Sequence, residues 1–323
     1  MYEEFFGLNK APFTLSPDPS FLYLSKSHRM AITMLEYGLM NRAPISVVTG
    51  EVGCGKTTLL RRLLTLVPDD VVVGMVTHTH ASFRELLQWI ASAFDIDFGK
   101  KSGIALYKAF LDYLNEQYNQ GRRVVLIVDE AQNLTISALE GIRLLSNVNV
   151  DADFMLQLVL VGQPELLDTM RRPELRQLAQ RVSVDYHLAP LTEEETGRYI
   201  RHRLAVAGGD AELFDDHACR LIYKCSDGIP RLINTLCDMS LVYAYAEEQH
   251  TINKELVAAV IRDRQNGGVL PLRNVDEAVA KSGVDNKDGV VDDRTRIIDR
   301  NLLEEGASFD DGKVIDYPLK KQS

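Results

Sequence analysis

The sequence predicts an α/β fold, a three-layer parallel sheet that gives way to an all-helical C-terminal part. Three observations carry that expectation. Short β-branched runs alternate with helical periods as far as Leu188, the runs are mostly apolar instead of alternating, and only helical periods follow. Parallel strands buried on both faces read as near-continuous apolar runs, and strands separated by helices of roughly 10–15 residues build right-handed βαβ units.

An aromatic, proline-containing arm opens the chain (Phe5, Phe6, Pro12, Phe13, Pro17, Pro19, Phe21, Tyr23), followed by a helical period over Ser25–Asn41. The expected strands are Ile45–Thr49, Val71–Thr77, Arg123–Asp129, Met155–Val161 and Val182–Leu188. Helices are expected at Lys56–Leu66, Phe83–Phe94, Ala105–Asn119, Ile136–Asn147 and Pro164–Met170, with Leu86, Leu87, Trp89 and Ile90 as core. After the sheet, Thr192-Glu193-Glu194-Glu195 reads as a capping box opening a helix that Gly208-Gly209 stops. Further helices fall near Asp216–Lys224, Pro230–Glu247 and Lys254–Arg264. From Gln265 the composition turns charged and poor in aromatics, which reads as a mostly disordered tail with a short helix at Arg294–Leu303. The chain thus divides into an arm and helix (1–43), an α/β domain (44–190), a helical lid (191–264) and a tail (265–323).

Composition narrows the function classes. Across 323 residues, 46% apolar and 7% aromatic content supports a real core and excludes disorder throughout. Lys and Arg number 36 against 46 Asp and Glu, a net charge of −10. That balance disfavours a protein held chiefly by phosphate backbones, although a local basic face can sit on an acidic body. The longest stretch free of Asp, Glu, Lys and Arg is Val71–Phe83, 13 residues, against the roughly 20 that cross a bilayer. An acidic N-terminus (Met1-Tyr2-Glu3-Glu4) is unlike a secretory signal, and Cys54, Cys219, Cys225 and Cys237 form no metal or disulfide spacing. The expected location is the cytoplasm, with peripheral recruitment to an inner membrane by a partner. His78 and His80 have no carboxylate or cysteine beside them and are not read as a metal site.

The chemistry sits in two motifs. Gly50-Glu51-Val52-Gly53-Cys54-Gly55-Lys56-Thr57 fits G-x-x-x-x-G-K-[ST] between an apolar strand and a helix, where a phosphate-binding loop belongs. The glycines let successive N–H groups converge on phosphates at the positive end of the helix. The nucleotide-binding set is therefore Gly50, Glu51, Val52, Gly53, Cys54, Gly55, Lys56, Thr57 and Thr58, with Lys56 on the β- and γ-phosphates of ATP and the Thr57 hydroxyl on Mg²⁺. The second motif, Val124-Val125-Leu126-Ile127-Val128-Asp129-Glu130, is an apolar strand ending in two carboxylates. Asp129 is placed to hold Mg²⁺, so Thr57 and Asp129 form the metal set, and Glu130 to polarise an attacking water.

Lys56-Thr57 with Asp129-Glu130-Ala131-Gln132 resembles an AAA+ P-loop ATPase, and a wider set of segments narrows the likeness. Phe5-Phe6-Gly7-Leu8, Pro12-Phe13, Asp18-Pro19, Phe21-Leu22-Tyr23-Leu24-Ser25, His28, Val161-Gly162-Gln163-Pro164-Glu165-Leu166 and Gly228-Ile229-Pro230-Arg231 together resemble the ExeA/general secretion pathway protein A family. The likeness covers residues 1–264. Relatives in that family include ATPases encoded beside pilus and exopolysaccharide export systems. The secretion branch usually continues into a transmembrane segment and a periplasmic peptidoglycan-binding part, which this sequence does not show.

The resemblance implies further roles. Gln163 stands where AAA+ proteins keep a polar sensor between the phosphate loop and the acidic strand; a turn residue before Pro164 is the plain alternative. Arg181 precedes the last strand, where clamp-loader-like relatives carry an arginine finger for the neighbouring subunit, with Arg176 as the alternate and a surface arginine the plain reading for either. Arg231, after the helix-opening Pro230, would reach the γ-phosphate as a second sensor. His28 and Tyr23 either approach the adenine or pack the arm.

The expectation is an ATP-hydrolysing homo-oligomer, a ring or helical assembly, that assembles or remodels a partner complex, foremost a cell-envelope export system. Two readings of other classes stand beside it. One is a DNA-associated, transposition-helper-type ATPase, whose candidate basic pairs are Lys100-Lys101, Arg122-Arg123 and Arg171-Arg172. The other is a nucleotide-gated scaffold with little hydrolysis.

Overall fold

The computed structural model describes residues 1–15, 18–77, 82–97, 99, 101–150, 153–267 and 271–274. The tail helix expected at Arg294–Leu303, His78, His80 and Lys100 lie outside the described residues.

The strands are β1 (Ile45–Gly50), β2 (Val71–Val76), β3 (Arg123–Val128), a two-residue hairpin β4 (Asn149–Val150) and β5 (Asp153–Phe154), β6 (Leu156–Gly162) and β7 (Val182–Leu188). Five of them form one parallel sheet in the order β2-β3-β6-β1-β7. The helices are α1 (Lys26–Met40), α2 (Lys56–Leu64), α3 (Phe83–Ala93), α4 (Gly103–Asn119), α5 (Ile136–Leu145), α6 (Glu165–Met170), α7 (Arg176–Ala179), α8 (Glu193–Val206), α9 (Asp216–Ser226), α10 (Pro230–Ala246) and α11 (Lys254–Gly267).

The sheet explains why its strands read as unbroken apolar runs. Along β1, β3 and β6 successive side chains go to opposite faces, and both faces are covered. Val48, Val125, Ile127, Val159 and Val161 pack under α1 and α2 with Ala31, Leu35, Leu59 and Leu63. Val47, Leu126, Val128, Leu158 and Leu160 pack under α3, α4 and α5 with Leu86, Phe110 and Leu139. The edge strand β7 departs from that pattern, exposing Ser183, Asp185 and His187, because one of its faces has no helix over it.

Trp89 is not core. It is 46% exposed while Leu86, Leu87 and Ile90 are buried, because the 3.6-residue period turns position 89 off the stripe that those three define.

Local signals set the helix starts. Ser82 with Glu85 and Thr192 with Glu195 form complete capping boxes, each satisfying backbone N–H groups that a helix start leaves open. Pro230 opens α10, where its missing N–H costs nothing. At the other end α11 runs past the expected boundary at Arg264 to Gly267, and Arg273 is held beside it by its N–H to the Cys225 carbonyl and an ion pair with Asp227.

A third core cluster belongs to α8–α11, and the arm is part of it. Tyr2, Leu8, Phe13 and Phe21 bury among Ile200, Leu204, Phe214, Ile222, Leu236 and Leu241. The segment before α1 is thus packed as lid, whereas α1 itself is packed on the sheet.

Gly228 sits where lid and sheet domain meet. Its φ is +70°, a Cβ there would lie 1.9 Å from the Leu191 carbonyl oxygen, and its own carbonyl accepts the Leu191 N–H at 2.9 Å. Gly228→Ala adds both left-handed strain and overpacking, a cost on the order of 2–4 kcal/mol. Thermal unfolding should show a Tm lowered by several degrees; an unchanged Tm would contradict this placement.

Candidate functional site

Strand order builds the site. β6 lies between β1 and β3, so the segments leaving the carboxyl ends of β1, β6 and β3 stand side by side. They carry the phosphate loop, Gln163, and the Asp129-Glu130 pair respectively. Ligands of open parallel sheets bind at that edge.

The loop is shaped by Gly53 (φ +85°) and Gly55 (φ +96°). Both also make room: a Cβ on Gly53 would lie 2.6 Å from Arg231 Cβ, and one on Gly55 2.9 Å from His28 Nε2. Lys56, 7% exposed, folds its ammonium back into the loop and donates to the Gly50 carbonyl at 2.7 Å and the Glu51 carbonyl at 3.1 Å. His28 holds the loop from α1. Its Nε2 lies 3.0 Å from the Cys54 carbonyl and its Nδ1 2.7 Å from Ser25 Oγ. Burial lowers the His28 pKa, which keeps the ring neutral at physiological pH. Burial also pushes the Cys54 thiol up to about 11, so it stays protonated.

Asp129 ends β3 at 5% exposure. Its Oδ1 accepts the Glu130 N–H at 2.9 Å, and its Oδ2 lies 3.4 Å from the Thr57 hydroxyl. Two hard oxygen donors this close, one of them a carboxylate, suit a magnesium ion. Burial is the main cause of a raised Asp129 pKa, with the neighbouring Glu130 charge adding to it and the Glu130 N–H, Lys56 and Thr57 opposing it.

Glu130 takes a left-handed conformation (φ +52°). Its Oε2 accepts from Gln132 Nε2 at 2.6 Å and Gln163 Nε2 at 3.4 Å. Gln132 Oε1 in turn accepts the Gln163 backbone N–H at 2.9 Å. Gln132 was quoted in the motif without a role. Spacing could not supply one, because its link runs across strands to the β6 edge.

A cavity of about 600 Å³ lies between the sheet edge, the arm and the lid, and Gly50, Glu51, Asp129 and Gln132 stand behind its lining. Loop residues Val52, Gly53, Cys54, Gly55, Lys56, Thr57 and Thr58 line it with Glu130, Gln163 and Arg231. Arg231 is exposed, and its N–H lies 3.3 Å from the Gly53 carbonyl, which brings the first turn of α10 against the loop. His28 and Tyr23 line the cavity too, and Tyr23 rests edge-on against Tyr199. Arg181 is not brought to this cavity. It donates to the Ser146 carbonyl at 3.2 Å, at the end of α5. Arg176 is exposed on α7.

Among the described residues no group of three or more His, Cys, Asp or Glu could hold a metal, and no helix is long and apolar enough to cross a membrane.

Comparison with known proteins follows the same lines. The AAA domain family matches residues 40–170. General secretion pathway protein A from Aeromonas hydrophila is 42% identical over 253 residues, covering 78% of this chain and 46% of the relative, so the chain spans about half that protein's length. Among solved structures, Cdc6p from Pyrobaculum aerophilum superposes with a TM-score of 0.61 at 20% identity, over 78% of this chain and 70% of its own. The Aeropyrum pernix ORC2 protein, in its ADPNP-ADP complexes, gives 0.59 at 18% identity over 79% and 71%. These two establish the fold and no more.

The buried carboxylate has a testable cost. With its folded-state pKa raised, Asp129 penalises the nucleotide-free protein above that pKa, and the penalty vanishes below the unfolded value of about 3.9. Asp129→Asn should therefore raise the Tm of the nucleotide-free protein at about pH 7, with the gain shrinking toward about pH 4. A lower Tm in the variant at neutral pH would contradict the assignment.

Proposed function

This chain belongs to the AAA ATPase family of General secretion pathway protein A, and on that premise we propose that it hydrolyses ATP with Mg²⁺ and uses the cycle to assemble or remodel a cell-envelope export complex. One observation carries the hydrolytic part. The Thr57 hydroxyl and the Asp129 carboxylate are 3.4 Å apart with Glu130 next along the chain, at the mouth of a cavity that Lys56 and Arg231 line.

The residues fit the nucleotide and its ion. The loop N–H groups from Gly53 to Thr58 would wrap the phosphates, and Lys56 would exchange the Gly50 and Glu51 carbonyls for β- and γ-phosphate oxygens. Thr57 and Asp129 would hold Mg²⁺, which when bound neutralises charge on the phosphates. Glu130 would orient the attacking water and take its proton, with Gln132 and Gln163 fixing the carboxylate that does so. Arg231 would carry phosphate charge to the lid, so that binding ATP favours a closed lid.

Arg181 is proposed to act on a neighbouring copy. Its position outside the cavity of its own chain supports that reading, because a finger supplied in trans makes turnover depend on assembly. Arg176, exposed on α7, is the alternate. Cytoplasmic placement with recruitment to the inner membrane by the export partner completes the proposal. The basic pairs that a DNA reading would use are largely engaged by acids: Arg123 with Asp70, Arg171 with Asp168, Arg172 with Glu174, and Lys101 with Asp97.

Glu130→Gln should keep nucleotide affinity and lose roughly 10²–10⁴ in turnover, read by nucleotide titration and by phosphate release. Unchanged turnover would leave a nucleotide-gated scaffold. Held in ATP, the same variant should retain export components in a pull-down from native cells; recovery of DNA and a transposase would redirect the partner.

Arg181→Ala should lose turnover by up to ~10³-fold or more. Mixing it with the Lys56→Ala protein should restore part of the activity, since each supplies what the other lacks. No recovery in the mixture would remove the trans role.

A further inference from the structure

The lid carries a buried arginine that the hydrolytic reading does not use. Arg203, on α8, is 6% exposed and lines the nucleotide cavity. Its Nε donates to the Pro12 carbonyl at 2.5 Å, its Nη2 to the Thr14 carbonyl at 3.3 Å, and its Nη1 to the Tyr199 hydroxyl at 2.8 Å, which itself donates to Asn234 Oδ1 at 2.8 Å. Its guanidinium lies 4.7 Å from the Phe21 ring centre. Among the described residues no carboxylate pairs with it. A buried cation held only by carbonyls, a hydroxyl and a ring face is costly to keep, and here both of those carbonyls belong to the arm.

We propose that Arg203 is a positioning residue for nucleotide binding: it makes the arm a moving part of the lid, so that the cavity wall formed by Thr14, Leu15 and Tyr23 travels with α8–α11. The inference rests on the ATP-binding reading above and adds to it. The rest of the arm is tied the same way. Leu8 and Phe13 bury in the lid core, the Asn9 N–H donates to the Ala207 carbonyl at 2.7 Å, and Phe5 stacks on His250. On the other side of the cavity α1 belongs to the sheet, through Ile32 and Leu35 and through His28 on the loop.

The chain therefore passes between lid and sheet domain twice, at residues 22–25 and 189–191. The start of α1, just after the first crossing, is bonded to the second crossing and to α8. The Ala189 N–H donates to Ser27 Oγ at 3.0 Å, and the Lys26 N–H to Glu195 Oε1 at 2.9 Å. Two adjacent crossings define one hinge, with arm and lid on the same side of it. A planar fork aimed at two carbonyls is a task for arginine, which lysine's single ammonium does not reproduce.

The test uses the full chain with spin labels on introduced cysteines at the exposed positions Glu4 (arm), Arg220 (lid) and Lys108 (sheet domain). On adding Mg²⁺ and a slowly hydrolysed ATP analogue, the arm-to-sheet and lid-to-sheet distances should change together while the arm-to-lid distance stays fixed. An arm that stays with the sheet while the lid moves, or no movement of either, overturns the proposal. Arg203→Ala should raise KM for ATP about tenfold or more with kcat retained at saturation while the buried Tyr2, Leu8 and Phe13 keep Glu4 with the lid, and Arg203→Lys should not restore KM. Should Arg203→Ala not fold, the lysine variant and the wild-type distances decide. Wild-type ATP binding and turnover in the same preparation report separately on the function proposed above: their absence removes that reading, whereas their presence with an uncoupled arm removes only this one.

Discussion

The Thr57 hydroxyl and the Asp129 carboxylate stand 3.4 Å apart at the carboxyl edge of the sheet, although β6 lies between β1 and β3, the strands that lead to them. Were the two strands hydrogen-bonded neighbours, their loops would meet without room for a third element at the edge. With β6 between them, the edge offers in sequence a backbone cradle, an amide and two acids. Each is delivered by a strand whose burial on both faces fixes its position. The site thus inherits its precision from the core, as sites built on rigid elements do. In exchange Asp129 sits where its charge is poorly solvated, a cost that a bound metal ion would relieve.

The second constraint is that the cavity has two owners. The loop, Glu130 and Gln163 belong to the sheet, while Arg231 and the arm belong to the lid. A ligand that touches both is worth more to the closed arrangement than to the open one, which is all that a nucleotide-driven change of shape requires. Gly53 marks the seam: a Cβ there would lie 2.6 Å from Arg231 Cβ, so the loop packs directly on the first turn of α10.

Much of this was legible in the sequence. The central strands were readable because burial on both faces removes polar residues from them, and the phosphate loop because its glycines are dictated by backbone geometry at Gly53 and Gly55. The capping boxes at Ser82 and Thr192 follow from side chains three residues apart and need no tertiary knowledge. Legibility failed where the decisive contact crosses the chain. Trp89 looks like core until the helix face is known, and Gln132 acquires a partner only when β6 arrives beside β3. The arm read as a separate preface to the fold; its place in the lid comes from contacts some 190 residues away in sequence, among them Phe13 in the lid core and the Pro12 carbonyl on Arg203. The placement of Arg181 at the end of α5 was equally invisible, since Ser146 is brought to it only by packing.

Every role proposed for these residues requires a magnesium nucleotide held between the loop and the acids. Calorimetric titration of ATP into the wild-type chain, with Mg²⁺ and with a chelator, and into Lys56→Ala, measures that directly. The prediction is one saturable site per chain, tighter with the metal and lost in the variant. Absence of binding, or binding indifferent to both the metal and Lys56, would contradict it.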